Sequence, residues 1–243
     1  MDTAKSLPAP VLYPETDDMG EHETQFNIAV LLVPLLRLLV ARMQRVARVG
    51  GNQFWYFVEG QPTRCRAPDV YVVDGVAPTA PDRGTWLTWE GHKPAFALEV
   101  VSAKWKKDYD EVPGDYDAMR VKEVVVFDPG APPEHRRRVR WQVFRRVRGR
   151  GLVRVFAGDG DRIESRELGC WIRLVEEDGN PRLRVAIGPH GDELLPTDAE
   201  RAAVERAEKE AERAQKEAAL TRADAAEAEV ARLREELARL RRS

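Results

Sequence analysis

The first strong apolar run, Ile28 to Val40 (IAVLLVPLLRLLV), reads as the centre of a helix from about Glu21 to Val46. It is shorter than the ~20 residues a membrane span needs and is interrupted by Pro34 and Arg37, so it predicts a buried helix that Pro34 can kink, not a transmembrane one. The pattern then changes to that of strands. Gln53–Glu59, Val70–Val73, Phe96–Val101 and Glu123–Phe127 are short, β-branched or aromatic, and set off by turn residues. Phe96–Val101 and Val124–Phe127 are nearly unbroken apolar runs, as in central strands covered on both faces. Between them, Asp108 to Met119 can supply a helix, short or broken because of Pro113 and Gly114. Further runs at Val139–Val147, Leu152–Phe156, Cys170–Val175 and Leu183–Ile187, joined by glycine-containing turns, predict a meander that extends the sheet.

From Thr197 to Ser243 the chain contains neither Gly nor Pro and consists largely of Ala, Glu, Arg, Lys and Leu, which predicts one long helix. Thr197 with Glu200 forms a capping box at its start. Val230, Leu233, Leu237 and Leu240 follow the 3-4-3 spacing of a coiled-coil seam, while the earlier stretch has Ala at many such positions. At ~1.5 Å per residue the helix would reach about 70 Å. Two readings follow: self-association as a homo-oligomer through residues 197–243, or a solitary charged helix held by i,i+4 pairs. The resulting organisation is an extended arm rich in Pro, Asp and Glu (1–20), an α/β domain (21–195) and a C-terminal coiled-coil helix (196–243).

Composition narrows the setting. A chain of 243 residues with 43% hydrophobic and 33% charged residues fits a soluble protein of one domain plus an appendage or of two small domains. The apolar run lies too far from Met1, behind an acidic stretch, to be a signal peptide. Cys65 and Cys170 are too few and too far apart for a disulfide framework or a zinc site, so reduced thiols in the cytoplasm are expected. A net charge of −2 gives no global attraction to nucleic acid, so any DNA-binding surface must be a local patch. The arginines between 136 and 154 offer one on strand-like segments, where alternation would place many on one face. The frequent Asp and Glu nearby leave a solvated hairpin equally open.

The informative acids are Asp69, in Ala67-Pro68-Asp69-Val70, and Glu99, in Phe96-Ala-Leu-Glu99-Val-Val-Ser102. Asp69 opens a strand and Glu99 lies inside an apolar run. An unpartnered buried carboxylate costs several kcal/mol, so Glu99 should face a metal, a cation or a cleft. The alternative is a solvent-facing strand residue. Two carboxylates on adjacent strands suit Mg²⁺, or Mn²⁺, which keeps several waters and takes one or two protein carboxylates. Such an ion can activate a water against a phosphodiester. No glycine-rich phosphate loop, nucleophile elbow or zinc signature is present. His92, His135 and His190 have no metal-ligand spacing.

The ordered series Met19-Gly-Glu21-His22, Glu59-Gly-Gln-Pro62, Ala67-Pro-Asp-Val70, Trp89-Glu-Gly91, Glu99-Val-Val-Ser102, Asp108 to Tyr116 and Phe127-Asp-Pro129 resembles the Uma-two family of bacterial restriction-endonuclease-like proteins. That family is similar to the PD-(D/E)-x-K nucleases, which implies a mixed sheet flanked by helices and metal-dependent cleavage of DNA. By position, the resemblance implies Asp69 and Glu99 as metal ligands and Glu21 as an acid from the first helix. The superfamily lysine two residues after the acid is replaced by Val101. The family's basic residue on the following helix is replaced by Val112. Lys104, Lys106 and Lys107 lie near, and Lys107, directly before Asp108-Tyr109, is the preferred catalytic cation. Two functions are thereby expected from different classes: a Mg²⁺-dependent DNA endonuclease, or a degenerate nuclease fold that binds nucleic acid or carries the coiled coil. A purely structural protein is a third.

Overall fold

The structure, a computed structural model, describes residues 23–102, 105–132, 137–177 and 179–241, with the side chain of Lys107 excepted. The chain divides into two compact units, Met1–Leu195 and Pro196–Ser243.

The first unit is built on a six-stranded mixed sheet. Its strands are β1 (Ala47–Gly50), β4 (Val70–Asp74), β6 (Pro94–Val100), β7 (Glu123–Phe127), β8 (Trp141–Val147) and β9 (Gly151–Gly158), in the order β1-β4-β6-β7-β8-β9. All neighbours are antiparallel except β6 and β7, which are parallel. A parallel pair needs a crossover, and helix α2 (Trp105–Ala118) supplies it. A small sheet of β2 (Phe54–Tyr56), β3 (Cys65–Arg66) and β5 (Thr85–Leu87) and a third sheet of β10 (Arg162–Ser165), β11 (Cys170–Glu177), β12 (Asn180–Ile187) and β13 (Glu193–Leu194) complete the unit.

Each face of the central sheet has its own core, because strand side chains alternate between faces. Val70, Val72, Phe96, Leu98, Val100, Val125 and Phe127 point to one face. There they join Ile28, Leu32, Leu35, Leu36 and Leu39 of α1 (Glu23–Arg42) and Ile172, Leu183 and Val185 of the third sheet. Tyr71, Ala97, Val124 and Val126 point to the other face, against Val112, Tyr116 and Met119 of α2 and the stacked pair Trp55 and Trp86, whose rings lie 4.8 Å apart. The expected helix-flanked mixed sheet is thus the observed one. With 20 residues and a mean hydropathy of 1.8, α1 is long and apolar enough to cross a membrane by length and composition alone. Its buried leucines nevertheless face the two sheets.

Three expectations are corrected. The later strands do not all extend one sheet: β8 and β9 do, whereas β10 to β13 pair only with each other. The apolar runs of both sets look alike, and only non-local pairing separates them. Helix α2 is neither short nor broken: it runs through Pro113 and Gly114, its buried Val112 and Tyr116 lying one turn apart on the packed face. The first helix ends at Arg42, four residues before the expected Val46, and β1, a strand the sequence had not suggested, begins at Ala47. The N-terminal arm expected for 1–20 lies outside the described residues.

The second unit is helix α3 (Asp198–Leu240), 43 residues with no buried residue. The Thr197 hydroxyl accepts from Glu200 N at 3.2 Å and the Glu200 carboxylate accepts from Thr197 N at 2.6 Å, the capping box read from the sequence.

Candidate metal centre

The sheet register brings Asp69 and Glu99 together. Val70 of β4 lies opposite Leu98 of β6, so the residues just before and just after them, Asp69 and Glu99, meet at the same end of the antiparallel pair. The Asp69 carboxylate accepts the backbone N–H of Val100 at 2.6 Å, which pins it across β6. Gly51 makes the approach possible: a Cβ there would stand 2.3 Å from the Asp69 carbonyl oxygen, and Asn52 N donates to Pro68 O at 2.8 Å. The Pro68-Asp69 turn is therefore clasped by the β1–β2 connection.

Asp69 is 5% exposed, whereas Glu99 is partly accessible among buried neighbours. Glu99 belongs to the face covered by α2, and the Tyr116 hydroxyl donates to its carboxylate. Burial is the main cause that pushes the Glu99 carboxyl well above the usual carboxylate range, and the charge of Asp69 adds to it. The Tyr116 hydrogen bond and the Arg66 charge act the other way, and the Asp108 charge adds to the rise. Burial and the Glu99 charge likewise push the Tyr116 phenol up. The result is a pair of neighbouring carboxylates whose repulsion a cation would relieve.

The surroundings of the pair are organised by α2. Asp108, in its first turn, accepts from both the backbone N–H and the hydroxyl of Ser102 at 2.9 Å, holding the turn that leaves β6. Arg66 of β3 donates to Asp115 at 2.7 Å and to Glu111 at 2.9 Å, and with Phe57 and Arg64 it lines a cleft of about 590 Å³. At the start of α1, Gln25 donates to Val100 O at 3.1 Å, so that helix reaches the end of β6 beside the carboxylates.

Tyr116, Arg66 and Asp108 were not singled out as site residues from the sequence. The only signal for Asp108 and Tyr116 was the inclusion of Asp108 to Tyr116 in the family-like series, and Arg66 had none. Glu21 lies outside the described residues, as do Lys104 and the side chain of Lys107. Lys106 is exposed, with its ammonium 5.8 Å from the Trp105 ring centroid. Val101 and Val112, the two positions at which the family resemblance implied a basic residue, are 7% and 2% exposed and belong to the apolar core. No group of three or more metal-binding side chains occurs among the described residues. The donor set is two carboxylates, which fits an ion that keeps most of its waters and does not fit zinc.

Among the described residues, several arginines of the tract are committed to partners within the fold. Arg138 grips buried Asp128 through two bonds of 2.8 and 2.6 Å. Arg145 meets Glu123 at 2.7 Å, Arg146 meets Asp117 at 2.9 Å, and Arg140 donates to the Asp159 carbonyl at 2.9 Å. These arginines chiefly tie strands together.

A family model described as "Putative restriction endonuclease", Uma2, matches residues 16–175. Among solved structures, one similar chain is the crystal structure of a "putative nuclease" of the DUF820 group from Anabaena variabilis. It is 13% identical, with 61% of this chain and 75% of that chain covered and a TM-score of 0.42. No curated protein matches.

Proposed function

The chain belongs to the Uma2 restriction-endonuclease-like family, and from that premise we propose that it is a divalent-metal-dependent endonuclease that hydrolyses DNA phosphodiester bonds. The observation that carries the reading is the juxtaposition of Asp69 and Glu99 across β4 and β6, with Glu99 partly accessible beside a like charge. Structural carboxylates are normally matched by cations, and perturbed acids in a cleft mark functional sites more often than struts.

Asp69 and Glu99 would hold Mg²⁺ or Mn²⁺, which when bound supplies the positive charge that offsets charge developing on the phosphodiester. Asp69 is fixed by the Val100 N–H, and Glu99 is oriented by the Tyr116 hydroxyl. Asp108 holds the Ser102 turn beside them. Lys107 and Glu21 complete the proposed catalytic set on the strength of the sequence. The unit 21–195 is the proposed nuclease domain, acting in the cytoplasm, where the free thiols of Cys65 and Cys170 stay reduced. Residues 197–243 are the proposed self-association element, with Val230, Leu233 and Leu237 about half exposed on one stripe.

The burial of Val101 and Val112 favours a second reading, a degenerate nuclease fold that binds nucleic acid without cutting it. Plasmid DNA incubated with Mg²⁺ or Mn²⁺ separates the two. The proposal expects nicking or linearisation that chelation, Asp69→Ala and Glu99→Ala each abolish in folded protein. DNA affinity without cleavage in any divalent metal would establish the second reading instead, and cleavage undiminished by Asp69→Ala would refute the site.

A further inference from the structure

The self-association proposed above leaves open which way two copies of α3 lie, and the charges beside its apolar stripe answer that question. With the seven helical positions lettered a to g, Val230 and Leu237 fall at a, and Leu233 and Leu240 at d. One heptad earlier these positions hold Ala223 and Ala226. The flanking g positions are then Arg222, Glu229 and Glu236, and the e positions Glu227, Arg234 and Arg241.

In a parallel pair without stagger, each g residue faces the e residue five positions further along the other copy. The three facing pairs are Arg222 with Glu227, Glu229 with Arg234, and Glu236 with Arg241, all of opposite sign, and each occurs twice by symmetry. An antiparallel pair that overlaps the whole stretch 223–240 does worse twice over. It sets Leu237 and Leu240 against Ala226 and Ala223, and it brings Glu229 towards Glu236 of the other copy. Val230 at a with Leu233 at d is the pairing that favours two strands, although the next a position holds Leu237. The Glu229 carboxylate already meets Arg232 at 2.7 Å within its own helix, an exposed pair that exchanges partners at little cost.

The seam does not continue upstream. Its next positions are Ala219, Lys216, Glu212 and Lys209, and Lys209 is paired with Glu205 of its own chain at 2.5 Å. Charges at a and d in both copies would face one another, so the zipper is confined to about residues 219–241 and the helices part below it.

We propose that residues 219–241 form a parallel, unstaggered two-stranded coiled coil with a second copy of this chain, which tethers two nuclease domains at the same end of the zipper. An antiparallel coil would instead place the two attachment points on opposite sides of the zipper, ~100 Å apart at ~1.5 Å per residue.

The test uses the full-length chain, with light scattering to read assembly and a cross-link to read direction. Ala226→Cys places a thiol at d, where a parallel unstaggered pair brings it against itself. Ala225→Cys places one on the outer surface. Oxidised glutathione should convert Ala226→Cys to a covalent dimer and leave Ala225→Cys and the parent chain uncross-linked. A dimer by light scattering that Ala226→Cys fails to cross-link overturns the direction alone, and a monomer overturns the self-association itself. Glu229→Lys with Glu236→Lys should weaken the dimer by ~tenfold or more at low salt, and adding Arg234→Glu and Arg241→Glu should restore it. Lack of rescue would count against the pairing. None of these readouts depends on DNA cleavage, so their failure is distinct from failure of the nuclease reading.

Discussion

Glu99 and Glu123 sit on the two parallel central strands, β6 and β7, and their surroundings are opposite. Glu123 is 1% exposed and fully matched: Arg145 donates to it at 2.7 Å, Arg166 N at 3.2 Å, and the Ser165 hydroxyl also donates. It joins the central sheet to β10. Glu99 keeps some surface, has a second carboxylate beside it, and receives a neutral hydroxyl in place of a cation. A buried acid with a guanidinium is a strut, whereas an acid left against another acid has no such structural match, which is what the proposed metal site rests on.

The comparison is broken or sharpened by substitution, beginning with the largest effect. Asp69→Ala or Glu99→Ala should abolish metal-dependent cleavage while far-ultraviolet circular dichroism stays unchanged. Cleavage by either variant at the parent rate would break the contrast. Next, Glu123→Ala leaves Arg145 without its partner and should cost ~3 kcal/mol or more of stability by urea unfolding. Loss of stability on that scale from Glu99→Ala but not from Glu123→Ala would reverse the assignments. Tyr116→Phe removes the donor that orients Glu99 and should lower cleavage by ~10–100-fold with little change in urea midpoint.

The pH dependence of stability gives a smaller effect. Because the folded Glu99 carboxyl sits above its unfolded value, metal-free folded protein binds more protons than unfolded protein in the window from about pH 4.3 up to the raised folded value. Stability therefore falls as pH rises through that window, and Glu99→Gln should flatten the fall and raise the metal-free melting temperature at neutral pH. Asp74 runs the other way. Burial would raise its carboxyl, yet hydrogen bonds from Arg45 and Lys122 hold it below the usual range. Its stabilisation is present above the unfolded value and is lost as pH falls through the folded one, so Asp74→Asn should slightly soften the acid limb of the unfolding profile.

Much of the fold was legible because β4, β6 and β7 are short unbroken apolar runs and α1 and α3 have long helical patterns. What escaped was non-local. Nothing local separates the Cys170 or Leu183 runs of the third sheet from the Trp141 run of the central one. Val112 and Tyr116 hold α2 straight through Pro113 by packing that propensity does not register. The carboxylate pair was legible because an acid inside Phe96–Val101 has no folding reason to be there. Tyr116 and Arg66 were not, because a tyrosine on a helix and an arginine on a two-residue strand carry no mark of the site until the sheet register brings them to Glu99. The arginine tract suggested a phosphate surface, and the acidic residues that claim its members lie 10 to 29 positions away in sequence, beyond local reading.

The central claim is tested most directly by calorimetric titration of Mn²⁺ into the metal-free full-length protein and into Glu99→Gln and Glu123→Gln. The account predicts saturable binding in the parent and in folded Glu123→Gln, and its loss in Glu99→Gln. Binding that survives Glu99→Gln unchanged would contradict it.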